Sequence, residues 1–147
     1  MVFELIRCDS APTGYDYKVL YTFTGGADGG SPYGGLVRDT AGNLYGTTQG
    51  GGAVGSTCRQ GTCGVVFKLT PSGTETVLHT FTGGVGGANP TAALVKDSAG
   101  NLYGTTYYGD GGPYSGGVVF KLSPLGPRPC CTASLDTRRM RRILTMV

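Results

Sequence analysis

The most regularly spaced polar side chains are Asp39 and Asn43, set around Gly42, and Asp97 and Asn101, set around Gly100. Side-chain oxygens at this spacing invite a calcium loop. Calcium takes about six to eight oxygen ligands, and the phrase supplies too few and lacks the acidic spacing of an EF-hand. A tight turn uses the same residues better: Asp accepts N–H bonds from the turn it opens, Gly supplies a positive φ, and Asn tolerates the left-handed region. Asp39, Gly42, Asn43, Asp97, Gly100 and Asn101 are therefore read as structural turn residues, and no metal ligand is assigned.

Cys58 and Cys63 flank Arg59-Gln60-Gly61-Thr62. That spacing closes a small-loop disulfide in an oxidising compartment or leaves two thiols. Without a His or second Cys pair nearby it makes an incomplete zinc site. Cys8, Cys130 and Cys131 stand outside it. His79 is the single histidine and takes the place that Tyr21 holds in an earlier copy of the same strand. It reads as a ring packed on a strand face, since no Ser-His-Asp or Cys-His set assembles around it. Glu75 has no carboxylate partner at a definable distance, so no catalytic residue is assigned. The glycines of residues 25–30 and 109–112 lack the helix and Lys-Ser or Lys-Thr pair of a phosphate cradle. They read as loops, with Asp28 and Asp110 as secondary candidates for a surface cation. Tyr33, Tyr107, Tyr108 and Tyr114 sit in or beside loops, where rings can stack on sugars or partner side chains, or simply cover the edges of Gly-rich sheets. They are the candidate ligand-binding residues. No cofactor is implied.

These residues are positioned by a repeat. Residues 39–48, Asp-Thr-Ala-Gly-Asn-Leu-Tyr-Gly-Thr-Thr, return at 97–106 with one change, and each copy reads strand, turn, strand. Leu44 and Leu102 are expected to face the core, with Tyr45 and Tyr103 on the opposite face. Phe23 and Phe81, Asp39 and Asp97, and Tyr45 and Tyr103 are each 58 apart, whereas Phe67 and Phe120 are 53 apart. The first copy therefore carries an insertion around Cys58 and Cys63, in a loop, where repeats tolerate length changes. Val2-Phe3-Glu4-Leu5 resembles Val66-Phe67-Lys68-Leu69 and Val119-Phe120-Lys121-Leu122, so the sequence enters in mid-repeat.

Each unit supplies four short strands, the size of one propeller blade. The expected order is third strand, fourth strand, a full set of four, then first, second and third: nine strands, or about two and a quarter blades. The predicted fold is all-β, with antiparallel four-stranded blade-like repeats of propeller type, incomplete. Repeat units span roughly residues 21–78 and 79–126, with a partial unit at 1–20. Residues 127–147 break the pattern and form a basic tail expected to be poorly ordered.

Composition agrees with this class. With 28 Gly, 8 Pro and only 14% charged residues, the chain suits short strands and turns rather than helices, where Gly and Pro are costly. Residues 1–126 hold seven Lys or Arg against eight Asp or Glu. The repeat body is thus nearly neutral and offers no basic face for nucleic acid. No run approaches the ~20 apolar residues of a membrane span, and residues 1–7 do not read as a signal peptide.

The phrases of residues 94–106, then 116–124, then a strand like residues 76–84, resemble the GloVer tandem repeat of bacterial secreted and surface-anchored proteins. The resemblance covers roughly residues 1–126. It implies a propeller-like array, exported or held at the cell surface, and no particular activity. The expected function is a non-catalytic repeat module that binds carbohydrate or protein through its variable loops. Two other readings stand beside it: a fragment of a propeller-type glycoside hydrolase or polysaccharide lyase, and a structural spacer. Two and a quarter blades leave open sheet edges, so self-association is expected. The last copy's third strand would pair with the fourth strand, Tyr17 to Phe23, of another chain.

Overall fold

Short runs rich in Val, Phe, Tyr and Thr, cut by glycines at positive φ, leave this chain little choice but strands and tight turns. A computed structural model describes residues 1–9, 12–56, 58–109 and 116–124. Asp110, Tyr114, Cys130, Cys131 and the tail at 127–147 lie outside the described residues. Among the described residues there are ten strands in three antiparallel sheets, two 3-10 turns and no α-helix.

The first sheet pairs β1 (Val2–Arg7) with β2 (Tyr15–Tyr21). The second is an up-and-down meander of β3 (Val37–Arg38), β4 (Leu44–Thr48), β5 (Val65–Leu69) and β6 (Glu75–Thr80). The third is built on β9 (Leu102–Tyr108), which pairs with β10 (Val119–Leu122) on one edge. On its other edge are β8 (Val95–Lys96) and β7 (Ala88–Pro90). The all-β, antiparallel class read from the sequence is the class observed. Strand β7 stands outside the nine strands expected, and none of the three sheets closes on itself.

The repeat phrase contains its own packing rule. Gly46 of β4 lies opposite Phe67 of β5, and Gly104 of β9 lies opposite Phe120 of β10. A Cβ at Gly46 would stand 2.8 Å from the Phe67 ring, and one at Gly104 would stand 2.5 Å from the Phe120 ring. The glycine of Leu-Tyr-Gly-Thr-Thr is therefore a seat for the cross-strand aromatic ring. A second ring then locks the seated one to the preceding unit. Phe23, just past β2, stacks edge-on to Phe67 at 4.9 Å; Phe81, just past β6, does the same to Phe120 at 5.1 Å.

These rings centre two hydrophobic clusters. One lies between the first and second sheets and joins Val2, Leu20, Tyr21 and Phe23 to Leu44, Phe67 and Leu69. The other joins Val37, Tyr45 and Val66 of the second sheet, and Phe81 just past it, to Leu102, Phe120 and Leu122 of the third sheet and Leu94 just before β8. The middle sheet is thus covered on both faces, which accounts for the unbroken apolar run Val65-Val66-Phe67 in β5. Leu44 and Tyr45 do point to opposite faces, and each enters a different cluster.

The expected pairing of β10 with another chain's β2 meets an obstacle. The edge of β2 that such a pairing would use is taken by β1 along its length, from Val2 opposite Tyr21 to Arg7 opposite Tyr15.

Candidate functional site

The duplicated Asp phrase folds into the same closed network in both copies. The Asp39 carboxylate accepts from the Asn43 backbone N–H at 2.9 Å, the Asn43 Nδ2 at 2.9 Å and the Tyr45 hydroxyl at 2.9 Å. Asp97 accepts the corresponding bonds from Asn101 N–H at 2.8 Å, Asn101 Nδ2 at 2.7 Å and the Tyr103 hydroxyl at 3.0 Å. Gly42 and Gly100 complete the turns at φ 85° and 86°, a region where a side chain is strained. Donors to the charged form lower a carboxylate's pKa. The Asn43 side chain, with the Tyr45 hydroxyl and backbone N–H groups, holds Asp39 down to about 2. The Asn101 side chain leads the same effect on Asp97. Three protein donors engage each carboxylate, which disfavours replacing them with a cation. Sequence reasoning placed the Asp and Asn but missed Tyr45 and Tyr103, whose hydroxyls reach back six residues along the phrase.

A buried threonine follows in each copy. Thr48 Oγ1 donates to Gly50 C=O at 2.9 Å and accepts from Val65 N–H at 3.2 Å. Thr106 Oγ1 donates to Tyr108 C=O at 2.8 Å and accepts from Val118 N–H at 3.0 Å. The second Thr of the phrase thus holds the mouth of the hairpin.

The Gly-rich loops form matching turns, closed by Gly25 N–H on Gly29 C=O and by Gly83 N–H on Gly87 C=O. Asp28 belongs to the first alone. Its carboxylate takes the Thr24 N–H at 2.8 Å, the Thr24 hydroxyl at 2.6 Å and the Tyr21 hydroxyl at 3.2 Å. Burial raises its pKa, but the Thr24 and Tyr21 bonds outweigh this and leave it lowered. Tyr21 is raised by burial and by Asp28. In the second copy His79 and Gly86 stand where Tyr21 and Asp28 do. His79 sits edge-on to Phe81 at 4.7 Å, as Tyr21 does to Phe23 at 5.0 Å. Burial lowers its pKa.

Glu75 has a carboxylate neighbour that the sequence hid, because the two lie 47 positions apart. Its pKa is raised by burial first and by Asp28 second. Its Oε1 is buried without a hydrogen-bond partner among the described residues. No group of three or more His, Cys, Asp or Glu side chains gathers into a metal site among the described residues.

Cys58 and Cys63 are joined by a disulfide. The loop they close is docked on Asn89 of β7, which is buried at φ 56°. Asn89 Nδ2 donates to Gln49 C=O and Thr62 C=O, both at 2.8 Å, and its Oδ1 accepts from Arg59 N–H at 2.8 Å. One side chain thus satisfies three backbone groups of the preceding unit. Ser31, at φ 53°, is its counterpart 58 positions earlier. Both precede a proline and follow a Gly-rich loop, a signal that could have singled them out. Ser31, Gln49, Gly50, Arg59, Gln60, Thr62 and Asn89 line a small polar depression there. Its Asn89 wall already has its hydrogen bonds.

Of the candidate aromatic residues, Tyr33 and Tyr107 are largely exposed. Tyr107 and Tyr108 end β9 and meet edge-on at 4.7 Å, and Tyr108 is half-buried against the second cluster. No helix among the described residues is long and apolar enough to cross a membrane.

No curated protein and no solved structure matches the chain. The Gloeobacter/Verrucomicrobia repeat matches residues 5–137, past the point near Gly126 where the recurring phrases stop. That match spans most of the chain, and the chain belongs to the Gloeobacter/Verrucomicrobia, or GloVer, repeat family.

Proposed function

We propose that this chain is a non-catalytic repeat module of propeller type, working outside the cell or at its surface and binding carbohydrate or protein through the loops that differ between copies. Its blades are the units at residues 21–78 and 79–126, with the partial unit at 1–20, and residues 127–147 are an appended basic segment. One observation carries the reading. In both copies the carboxylate of the repeated phrase is engaged by its own turn, whereas the exposed loop tyrosines Tyr33 and Tyr107 fall where the copies differ. Tyr33 has Thr91 as its counterpart, and Tyr107 has Gln49. Exposed tyrosines offer a large contact area with a polar tip and little rotamer entropy to lose. Face-to-face packing of successive sheets supports the propeller arrangement, and the Cys58–Cys63 disulfide suits an oxidising compartment.

A glycan array screened beside a panel of glycosidase and lyase substrates tests this. Binding without turnover, weakened about tenfold by Tyr33→Ala combined with Tyr107→Ala, is the expected result. A second reading, the hydrolase or lyase fragment, has one observation in its favour: Asp28 and Glu75 are shifted in opposite directions, as acid and base pairs are. Turnover abolished by Glu75→Gln would replace the binding module with that enzyme. Silence in both screens would leave a spacer.

A further inference from the structure

We propose that the chain associates head to tail with a second copy of itself, the exposed apolar face of β1 and β2 receiving the exposed face of the β8–β10 sheet. The inference goes beyond the ligand-binding reading and does not rest on it. Its basis is a joint that the chain already makes inside itself, seen twice.

Within the chain, both sheet-to-sheet joints have a receiving side and an inserting side, and in each the same repeat positions recur: a Phe and a Leu receive, and a Val and a second Phe insert. Phe67 and Leu69 of β5 receive Val2, Leu20, Tyr21 and Phe23. One unit later Phe120 and Leu122 of β10 receive Val37, Tyr45, Val66 and Phe81. By sequence, Phe3 and Leu5 are the receiving residues of the first sheet, matching Phe67 and Leu69. Val95 and Val119 are the inserting residues of the last, matching Val37 and Val66.

Burial separates the used sides from the unused ones. Phe67, Leu69 and Val66 are 0% exposed, but Phe3 is 52%, Leu5 64%, Val95 67% and Val119 58% exposed. The receiving face extends across β2, since Phe3 lies opposite Val19 and Leu5 opposite Tyr17, and both partners are exposed as well. Side chains directly opposite each other in an antiparallel pair share a face. An apolar patch of this kind marks an interaction surface.

The two exposed faces differ from each other and complement each other as the internal faces do. Their contact is therefore heterologous, and it leaves a free receiving face and a free inserting face at the two ends of the pair. In the sequence no Phe, Tyr or Trp follows Phe120, so no residue there matches Phe23 and Phe81. The joint between copies thus lacks one ring of the joint within, and association depends on concentration.

Sedimentation equilibrium of the full chain over a concentration series tests this. Wild type is expected to rise from the 15.1 kDa of one chain towards multiples of it. Phe3→Lys with Leu5→Lys blocks the receiving face, and Val95→Lys with Val119→Lys blocks the inserting face. Each is expected to raise the concentration for half-association about tenfold or more, because a charge replaces an apolar anchor that the contact would bury. Mixed together, the two variants are expected to form a one-to-one pair that grows no further, since one good face of each kind remains. Far-UV circular dichroism checks that each variant folds, and Tyr17→Lys on the same face replaces any receiving-face variant that does not. A wild type that stays at one chain mass throughout, variants that associate as wild type does, or a mixture that stays monomeric would each overturn the proposal.

Discussion

The strands β5 and β10 carry almost the same residues, Val-Val-Phe-Lys-Leu and Val-Phe-Lys-Leu, yet they live in different surroundings. In β5 the residues Val65, Val66, Phe67 and Leu69 are fully buried; in β10 Val119 is exposed and Phe120 and Leu122 are half-buried. Both strands oppose a glycine and both phenylalanines receive an edge-on ring from the unit before. What differs is the next unit. Strand β5 has a sheet on each side, and β10 has one on a single side among the described residues. The comparison teaches that a repeat position specifies a contact to be made, and the neighbour decides whether it is made.

The largest expected effect would break that comparison outright. Phe67→Ala removes a ring enclosed on every side and is expected to cost about 3–5 kcal/mol. Phe120→Ala, with the same local partners but partial exposure, is expected to cost about half as much or less. Denaturant unfolding of the two variants measures this, and equal losses would show that enclosure by the following unit contributes nothing.

The next effect separates the copies by their loops. Asn89→Ala leaves the Arg59 N–H and the Gln49 and Thr62 carbonyls without their partner, at about 2–3 kcal/mol for buried groups left unpaired. Ser31→Ala, at the counterpart position, is expected to stay within about 0.5 kcal/mol. Matching losses would mean that Asn89 acts through its backbone conformation, which Ser31 shares, and not through its side chain.

The smallest effect probes where the copies are alike. Asn43→Ala removes the leading cause of the low Asp39 pKa and should bring that carboxyl up towards the ordinary range while Asp97 stays low, as read by NMR titration. An Asp39 pKa that does not move would assign the shift to the Tyr45 hydroxyl and the backbone N–H groups. The sign of the linked stability follows from the direction of each shift. Asp39 and Asp97 lie below their unfolded values, so their contribution is present above the ordinary Asp range near pH 4. It is lost as pH falls through the folded values, about 2 for Asp39. Glu75 is raised and acts in the opposite sense, so Glu75→Gln should stabilise the fold at neutral pH.

Much of the architecture was legible because it is local. Gly42 and Gly100 announce turns, and two-residue alternation gives strands. The recurrence of whole phrases places those strands in one order in every unit. The roles of Tyr45 and Tyr103 were legible in principle, since a hydroxyl six residues beyond an Asp lies across the same hairpin. Asn89 was not: its three partners come from a unit 27 to 40 positions earlier, and nothing in a linear spacing shows which loop a buried amide will meet. The closeness of Glu75 to Asp28 was hidden for the same reason.

The sequence by itself determined the all-β class, the turn chemistry and the repeat family, because each rests on backbone preferences and on residues within about ten positions of one another. Only the tertiary structure decided which copies of a given valine or phenylalanine are core and which are surface, because burial depends on what stands on the far side of the sheet. It also placed the Cys58–Cys63 loop on Asn89 and left Phe3, Leu5, Val95 and Val119 facing outward at the two ends. Those placements come from long-range packing of apolar area, which no single repeat can foretell.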